Sequence, residues 1–484
     1  MMQRDRQRLK IGYVGVAFTS YFAEEHNQYN RAIEGLQRLA EQLDFELAPI
    51  TYPVTDLALA EKAAGELSAG NIDYLMIQCA TVASGELLPP LAAIVSRIGI
   101  WGTPDPNQEG PIKIHSLVAV NHYASIIKRY LRESGPTFKW FFGHADDDDF
   151  VAPFTVTVRA LRAIKAMSTA SIGWIGGNSP GFYNMNFDAE VVQDRLGTRV
   201  VAHDFSEIVE RTVAVDESEA RSVVADLTAA ATEVSTSETF MEKGARLYLA
   251  LKAIAEADEH AALAVQCWPK FQDVLGIAPC MAYSWLGSED GFAVSCEGDV
   301  PGALSMLLLN ELSDRPGSST LLDMTALDPA TGSLLMWHCG VTPRHFANDD
   351  GIRWVDHTTL GRKSPLTFGV AGDQVFAAQD VTIAYIGNDA KDLLIVRARI
   401  EERDVKGFDG TRGWFTAFEL NGEPIDLDDL VNTLIVSGHE HHYAVAQGDL
   451  TDELLEVAAW LGMSTVDRIP RKNYLQRLEV VSLR

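Results

Sequence analysis

The sequence predicts an α/β protein with two consecutive Rossmann-like parallel-sheet domains, followed by a C-terminal antiparallel β-barrel domain. Strand-like and helix-like segments alternate as far as about residue 315, which is typical of doubly wound parallel sheets. Beyond that point the segments become short and β-rich, and Gly, Asp and Asn turns separate them. The 484-residue chain is long enough for several cores. We therefore expect domains at 1–167, 168–315 and 316–484.

The first domain begins with an apolar run and then repeats the strand and helix pattern. Expected strands are 9–18, 45–52, 72–79, 98–101 and 139–142, and expected helices are 31–43, 57–67, 91–97, 125–132 and 153–166. Such sheets bind ligands at the carboxyl ends of their strands. Tyr21 and Trp101 follow two of these strands, so we expect them at that edge, where an aromatic ring suits a sugar face. An ordinary loop position is the alternative for each residue.

The second domain contains the stretch on which the functional argument depends. Expected strands are 170–177, 198–202 and 261–266, and expected helices are 189–195, 219–231, 240–257 and 281–286. Gln266 and Trp268 follow the last of these strands. The apolar run 291–296 then predicts a buried strand, and Asp299 is placed to cap a helix that begins at Val300. Glu297 is therefore expected in a strand-to-helix turn, although a surface glutamate in a tight turn is the alternative.

The third domain is expected to hold short strands at 341–346, 368–370, 374–377, 381–386, 393–400 and 414–420, closed by a helix at 452–460. A Gly, Pro and Ser stretch at 314–319 marks the boundary before it.

Composition excludes some partners and indicates a compartment. A net charge of −27 argues against nucleic acid and anionic membranes as partners. Five scattered cysteines without a C-x-x-C pair are typical of a reducing cytosol, and no apolar run has the length of a membrane span. The basic start followed by an apolar run at 11–18 raises a signal peptide as a rival, but a first core strand fits better. We therefore expect a cytoplasmic protein.

Four residues later in the chain could form a mixed oxygen and nitrogen site. Glu297 and Asp323 offer carboxylates, and His338 and His442 offer imidazoles. Such a set suits Mn²⁺, Mg²⁺, Co²⁺ or Fe²⁺ and leaves positions for substrate oxygens. It contains no thiolate that would indicate structural zinc. Buried histidines with satisfied hydrogen bonds are the common alternative.

The motifs Gln266-Cys-Trp268, Cys296-Glu-Gly-Asp-Val-Pro-Gly-Ala-Leu304, Leu322-Asp323 and His441-His-Tyr-Ala-Val-Ala-Gln-Gly-Asp449 resemble the L-fucose isomerase and L-arabinose isomerase superfamily. The order of the domains matches those enzymes along the whole chain. Asp323 is more similar to the fucose isomerases, and His338 is more similar to the arabinose isomerases, so the chain mixes features of both.

The resemblance implies an aldose–ketose isomerase that uses a divalent ion, usually Mn²⁺. It implies Glu297, Asp323 and His442 as metal ligands, with His338 as a fourth. Glu297 and Asp323 would exchange a proton with the sugar through an enediol, while the ion acts as a Lewis acid toward two sugar oxygens. Substrate contacts would come from Gln266, Trp268 and His441, and His441 could exchange roles with His442.

The resemblance also implies a homo-oligomer, a trimer or a hexamer, with a shared active site that Tyr21 and Trp101 of one subunit would cover. The sugar stays open between L-fucose, D-arabinose, L-arabinose and a modified or anionic hexose. A sulfonated sugar would need a cation, for which Arg344, Arg353, Arg362 and Lys363 are available, although surface positions explain them equally well. Two other functions remain: a metal-dependent aldolase or hydrolase on a sugar-like substrate, and a non-catalytic cytoplasmic sugar-binding protein.

Overall fold

The computed structural model describes residues 8–131, 135–313, 317–357, 359–360, 367–387, 389–403, 405 and 407–472. Arg362 and Lys363, two of the cations considered above, lie outside the described residues. The chain divides into two compact units, residues 6–165 and the residues from 166 onward. The division falls close to the first expected domain boundary, whereas the boundary at about 315 stays a prediction.

The first unit contains, in its described part, a five-stranded parallel sheet with strand order β2-β1-β3-β4-β5. The strands are β1 (Leu9–Val16), β2 (Phe45–Pro49), β3 (Tyr74–Cys79), β4 (Arg97–Gly102) and β5 (Thr137–Phe142), and the helices are α1 (Gln28–Leu43), α2 (Leu57–Ala69), α3 (Leu88–Ala92), α4 (Ser116–Ile126) and α5 (Asp148–Ser168). Every residue of β3 is buried, as expected for a strand covered by helices on both faces. The prediction of a parallel sheet here is confirmed.

The second unit begins with another parallel sheet, whose described strands follow the order β10-β9-β6-β7. The elements are β6 (Ser171–Ile175), α6 (Ala189–Leu196), β7 (Arg199–His203), α7 (Phe205–Ala214), α8 (Glu217–Ala230), β8 (Glu233–Ser235), α9 (Glu238–Ala257), β9 (Ala262–Val265), α10 (Cys280–Trp285), β10 (Ala293–Ser295) and α11 (Val300–Leu312). Because the four sheet strands are parallel, the loops after them share one edge. The loops that contain Glu297 and Gln266 lie at this carboxyl edge, where His203 ends β7.

The remaining strands form a mixed sheet, which has eleven strands when only described residues are counted. The strands and helices of this part of the chain are β11 (Ser319–Asp328), β12 (Ser333–His338), β13 (Arg353–Asp356), β14 (Gly369–Val375), β15 (Gln379–Ile386), β16 (Asp392–Ile400), β17 (Thr411–Leu420), β18 (Glu423–Pro424), α12 (Leu427–Ser437), β19 (His442–Gln447), α13 (Thr451–Leu461) and β20 (Ser464–Thr465). β8 also belongs to this sheet, because it pairs with β13.

Six strands of the mixed sheet pair antiparallel in the order β16-β15-β19-β11-β12-β17, and β17 pairs again with β16. Tyr385, Phe415 and Val445 belong to the apolar cluster that these strands enclose. The expected purely antiparallel domain is wrong in detail, since β14, β13 and β20 make parallel pairings. The expected strand at 341–346 is also wrong, because residues Arg344–Phe346 form a 3₁₀ turn. In the part of the chain that is described, no helix is both long enough and apolar enough to cross a membrane.

Candidate active site

Glu297 lies in the turn between β10 and α11, as the sequence predicts. Asp299 is the N-cap of α11, and its side chain accepts from the backbone N–H of Gly302 at 2.8 Å. Glu297 has a φ of 62°, in the left-handed region that non-glycine residues rarely occupy. Gly298 follows with a φ of 77°, and a Cβ there would collide with the carbonyl oxygen of Gly177. Such strain is typical of functional sites, because the surrounding structure must maintain it at a cost.

Asp323 and His442 are brought together by strand pairing. Asp323 lies in β11 and is directly opposite His442 at the start of β19, while β12 pairs with the other side of β11. Residues opposite each other in antiparallel strands have Cβ atoms about 5 Å apart. His338 is the last residue of β12. The third sheet therefore presents one carboxylate and two imidazoles beside the turn that contains Glu297.

The ligand atoms of these side chains converge. Nε2 of His442 lies 3.8 Å from Oε2 of Glu297 and 3.7 Å from Oδ1 of Asp323. Glu297, His441 and His442 form one group of atoms that could hold a metal ion, and Asp323, His338 and His442 form another. Oε2 of Glu297, Oδ1 of Asp323 and Nε2 of His338 are buried and have no hydrogen-bond partner among the described residues. Buried polar atoms without a partner are costly, so the cluster fits a cation or a polar substrate.

Asp299 fixes the orientation of His442. One carboxylate oxygen accepts from the hydroxyl of Tyr385 at 2.8 Å, and the other lies 3.0 Å from Nδ1 of His442. His442 therefore carries its proton on Nδ1 and directs the lone pair of Nε2 at Glu297 and Asp323. Burial lowers the pKa of His442, but the bond to Asp299 and the charge of Asp323 raise that pKa above its ordinary value. A carboxylate behind a histidine is a frequent support for a metal ligand.

His338 is arranged differently from His442. Its Nδ1 lies 2.9 Å from the backbone nitrogen of Cys339 and 3.3 Å from Sγ of the same residue. Burial lowers the pKa of His338, but the charges of Cys339 and Asp323 outweigh burial and raise it to about 10. Its Nε2 is buried, has no hydrogen-bond partner among the described residues and belongs to the group with Asp323 and His442 that could hold a metal ion, so the role of His338 as a ligand stays a prediction.

The hydrogen-bond partners of His441 differ from those of His442 and His338. Its Nδ1 lies 3.2 Å from the amide nitrogen of Asn184, which donates to it, so Nε2 carries the proton and faces Oε2 of Glu297 at 3.4 Å. The ring stacks on Phe182 with centroids 5.0 Å apart. About a third of the His441 side chain is exposed (35%), compared with 1% for His442. His441 is thus the member of the pair that substrate can contact.

Gln266 and Trp268 lie beside the loop that follows β6. Gln266 is buried and its amide donates to the carbonyl of Asn178 at 2.8 Å, while its own oxygen has no partner in the described part of the structure. Phe182 packs edge-on against Trp268, with centroids 6.1 Å apart, and stacks on His441. The loop thereby connects Gln266 and Trp268 with His441 and His442. The role of Gln266 and Trp268 in substrate binding stays a prediction.

Tyr21 and Trp101 belong to the other compact unit. Trp101 is not at the edge where we expected it: it is 1% exposed, its indole N–H donates to the carbonyl of Gly143 at 2.8 Å, and its ring packs on Phe150. Its position in the core disfavours a role in stacking on a sugar. Tyr21 is partly buried in the turn after β1. Its role, like the trimer or hexamer with a shared active site, stays a prediction.

The two described arginines considered for an anionic sugar are both engaged elsewhere. Arg344 pairs with Glu289 at 3.0 Å, and Arg353 pairs with Asp373 and with Glu233. Both side chains are more than two-fifths exposed (46% and 43%). The pair of Arg344 with Glu289 is a surface ion pair, whereas the Asp373 partner of Arg353 is buried.

Sequence reasoning missed two features near the site. Asp299 was assigned only to the helix cap, and nothing in its local pattern predicts a contact with a histidine 143 residues away. Cys280 and Cys339 are far apart in the chain, yet their sulfur atoms lie 3.8 Å apart, and Sγ of Cys339 is 3.3 Å from Nδ1 of His338. Their spacing gives no sign of this thiol pair.

No protein-family model matches the chain. Comparison with known proteins finds sulfoquinovose isomerases from Priestia aryabhattai and Priestia megaterium, each 26% identical over 436 residues, which are 89% of this chain and 94% of the relative. The sulfoquinovose isomerase of Alkalicoccus urumqiensis is 26% identical over 402 residues, 82% of this chain and 86% of the relative. None of these names refers to fucose or arabinose. This similarity along most of the chain confirms the expected class of enzyme, an isomerase that interconverts aldose and ketose sugars.

Proposed function

We propose that the chain isomerises sulfoquinovose, a sulfonated aldohexose, to the corresponding ketose with the help of a divalent ion, Mn²⁺ foremost. The names of the relatives support the substrate. The observation that carries the mechanism is the convergence of Oε2 of Glu297 and Oδ1 of Asp323, both buried without a partner among the described residues, on Nε2 of His442.

Glu297, Asp323 and His442 fit a hard divalent ion. Two carboxylate oxygens and one imidazole lone pair form a mixed set that suits Mn²⁺, Mg²⁺, Co²⁺ or Fe²⁺. His338 is the candidate for a fourth ligand, since its Nε2 is buried and has no partner among the described residues. When bound, the ion supplies a Lewis acid for the two neighbouring sugar oxygens.

The two carboxylates provide the proton transfer. One of them, Glu297 or Asp323, removes the proton from C2 of the aldose, and the proton is returned to C1 of the enediol. A second proton passes from the oxygen on C2 to the oxygen on C1, which balances the conversion of an aldose into a ketose. Nε2 of His441 lies 3.4 Å from Oε2 of Glu297, so this imidazole is placed beside the reacting carboxylate, where it can contact the substrate.

Lys270 is our candidate for the sulfonate. It lies on the carboxyl edge of the second sheet, two residues after Trp268. Its ammonium donates to the carbonyl of Gly176 at 3.0 Å and lies over the Phe205 ring. The described residues give it no carboxylate partner, in contrast to both arginines discussed above. A cavity of about 310 Å³ opens beside it, which is large enough for a sugar-sized ligand. A lysine of this kind binds anionic groups as a point charge.

The test is a panel of aldoses incubated with chelator-treated protein, with and without Mn²⁺, and followed by NMR. We expect ketose from sulfoquinovose only after Mn²⁺ is restored. Glu297→Gln is expected to fold and to lose exchange of the C2 proton with solvent, while Glu289→Gln, a nearby exposed carboxylate, keeps both. Normal turnover by Glu297→Gln would refute the assignment of the proton transfer. Cleavage products in place of ketose would favour the aldolase alternative.

A further inference from the structure

A second histidine cluster lies in the parallel sheet of the second unit, and none of its residues is assigned to metal binding or proton transfer in the isomerisation. His203 ends β7, His260 precedes β9, and Asp258 caps the end of α9. The ring of His260 crosses the face of the sheet over Gly173, where a Cβ would lie 2.8 Å from Cδ2 of His260. Glycine at this position of β6 therefore leaves the space that the imidazole occupies.

The outer nitrogens of the two rings have partners that orient them. Nδ1 of His203 lies 3.0 Å from Oε2 of Glu207 and must donate its proton to that carboxylate. Nδ1 of His260 lies 3.0 Å from Oγ of Ser171, and that hydroxyl is also 3.5 Å from the carbonyl of Glu259. The serine can therefore either donate to His260 or accept from it and turn to the carbonyl.

The inner nitrogens face each other, with Nε2 of His203 only 2.8 Å from Nε2 of His260. His203 presents a lone pair there, so a proton on His260 must lie between the two atoms in the metal-free protein. Oδ2 of Asp258 is 3.8 Å from Nε2 of His203, and the three ligand atoms lie within 4.8 Å of one another. A lone pair, a histidine that can change tautomer and a carboxylate thus surround one position.

We propose that His203, His260 and Asp258 bind a transition-metal ion such as Zn²⁺ in place of that shared proton. On binding, the proton of His260 moves from Nε2 to Nδ1, which then donates a hydrogen bond to Oγ of Ser171, while the hydroxyl of Ser171 turns to the Glu259 carbonyl; the number of protons on the three side chains is unchanged. Two imidazoles and a carboxylate are the ligand types of Zn²⁺ sites with an open fourth position. Hydrogen bonds from the outer nitrogens to a carboxylate and a hydroxyl are the support that such ligands usually have.

The change in geometry that this requires is small. Two nitrogens bound to Zn²⁺ at about 2.05 Å in a tetrahedron lie roughly 3.3 Å apart, so the rings must separate by about 0.5 Å. The Asp258 side chain is 45% exposed, and His203 also lines the cavity of about 310 Å³, which gives an ion access to the position. The ion would connect the end of α9 with the strand that leads into α7.

The test is calorimetric titration of the chelator-treated full chain with Zn²⁺, together with its thermal unfolding. We expect two classes of Zn²⁺ site, of which Asp258→Asn and His203→Gln remove one, along with part of the Zn²⁺-induced rise in Tm. Glu256→Gln, in the same last turn of α9, keeps both classes. Glu207→Gln is expected to lower the affinity of the site formed by His203, His260 and Asp258 for Zn²⁺ roughly 10- to 100-fold. Isomerase activity with Mn²⁺ should be unchanged in Asp258→Asn.

A Zn²⁺ stoichiometry and a Zn²⁺-induced Tm rise that are the same in the wild type, Asp258→Asn and His203→Gln would overturn the proposal, because the position would then hold only a proton. Loss of every class in Glu297→Gln would also overturn it, since all bound Zn²⁺ would then belong to the isomerase site. Because Asp258 is half exposed, its amide variant is expected to fold, which keeps the test decisive.

Discussion

Replacing Asp299 with asparagine tests whether this carboxylate controls the protonation of His442. Asp299 is fully buried and accepts three hydrogen bonds, from Gly302, Tyr385 and His442. Asparagine keeps one acceptor oxygen for Gly302 and Tyr385, but it presents an NH₂ group to the Nδ1 proton of His442. Two donors then face each other, so the ring must move its proton to Nε2 and lose the lone pair directed at Glu297 and Asp323.

The expected loss of stability follows from the hydrogen bonds that the Asp299 carboxylate accepts. All three hydrogen bonds of residue 299 lose their charged acceptor, and the one to His442 is replaced by a neutral bond in the opposite direction, so we expect the free energy of unfolding to fall by roughly 1.5–3 kcal/mol. Losing the carboxylate behind a metal histidine weakens metal binding roughly 10- to 100-fold. The assay is calorimetric titration of Asp299→Asn with Mn²⁺, beside its unfolding in urea.

Tyr385→Phe is the matched control, because it removes another donor to the same carboxylate and leaves the contact with His442 intact. It should lower stability and leave the affinity for Mn²⁺ close to that of the wild type. If Asp299→Asn folds and binds Mn²⁺ as tightly as Tyr385→Phe, then the carboxylate does not set the tautomer of His442 and the reasoning is refuted.

Three further predictions concern substrate binding, the strained turn and acid stability. Lys270→Met should raise KM for sulfoquinovose far more than it changes kcat, whereas an effect on kcat alone, measured in initial rates, would exclude a sulfonate contact. Gly298→Ala should cost about 1–3 kcal/mol of stability, seen as a lower Tm, because of its positive φ and the nearby carbonyl of Gly177. In Asp105, burial raises the pKa but three backbone N–H groups lower it further, so the pKa lies below its ordinary value. Its charge therefore stabilises the fold fully above about pH 4, and the stability difference between wild type and Asp105→Asn, measured in urea, should shrink as the pH falls below about 4 and through the lowered pKa of Asp105; a constant difference would contradict this.

The parts of the site that depend on local signals could be predicted from the sequence. Glu297 lies in a strand-to-helix turn because a buried run, a capping aspartate and a proline at the start of a helix follow one another within a few residues. Asp323 and His442 were selected as residue types in apolar runs. Their meeting depends on the antiparallel register of β11 and β19, which no local pattern specifies.

Trp101 shows why the edge of the first sheet was harder to predict. Side chains alternate between the two faces of a strand, and an error of one residue reverses the face. The pattern places Trp101 at the end of β4, but only the packed structure shows that its indole N–H is bonded to Gly143 inside the core. An aromatic ring at a strand end is therefore weak evidence for a sugar site.

The alternation of strands and helices and the parallel sheets could be predicted from the sequence, because they depend on residues that are close together in the chain. Which nitrogen of His441 and of His442 carries the proton could be read only from the folded structure. Asp299 gives His442 a lone pair toward the cluster, while Asn184 leaves His441 as a donor. The reason is physical: a proton's position depends on the hydrogen-bond partner at the other side of the ring, and folding brings those partners from distant parts of the chain.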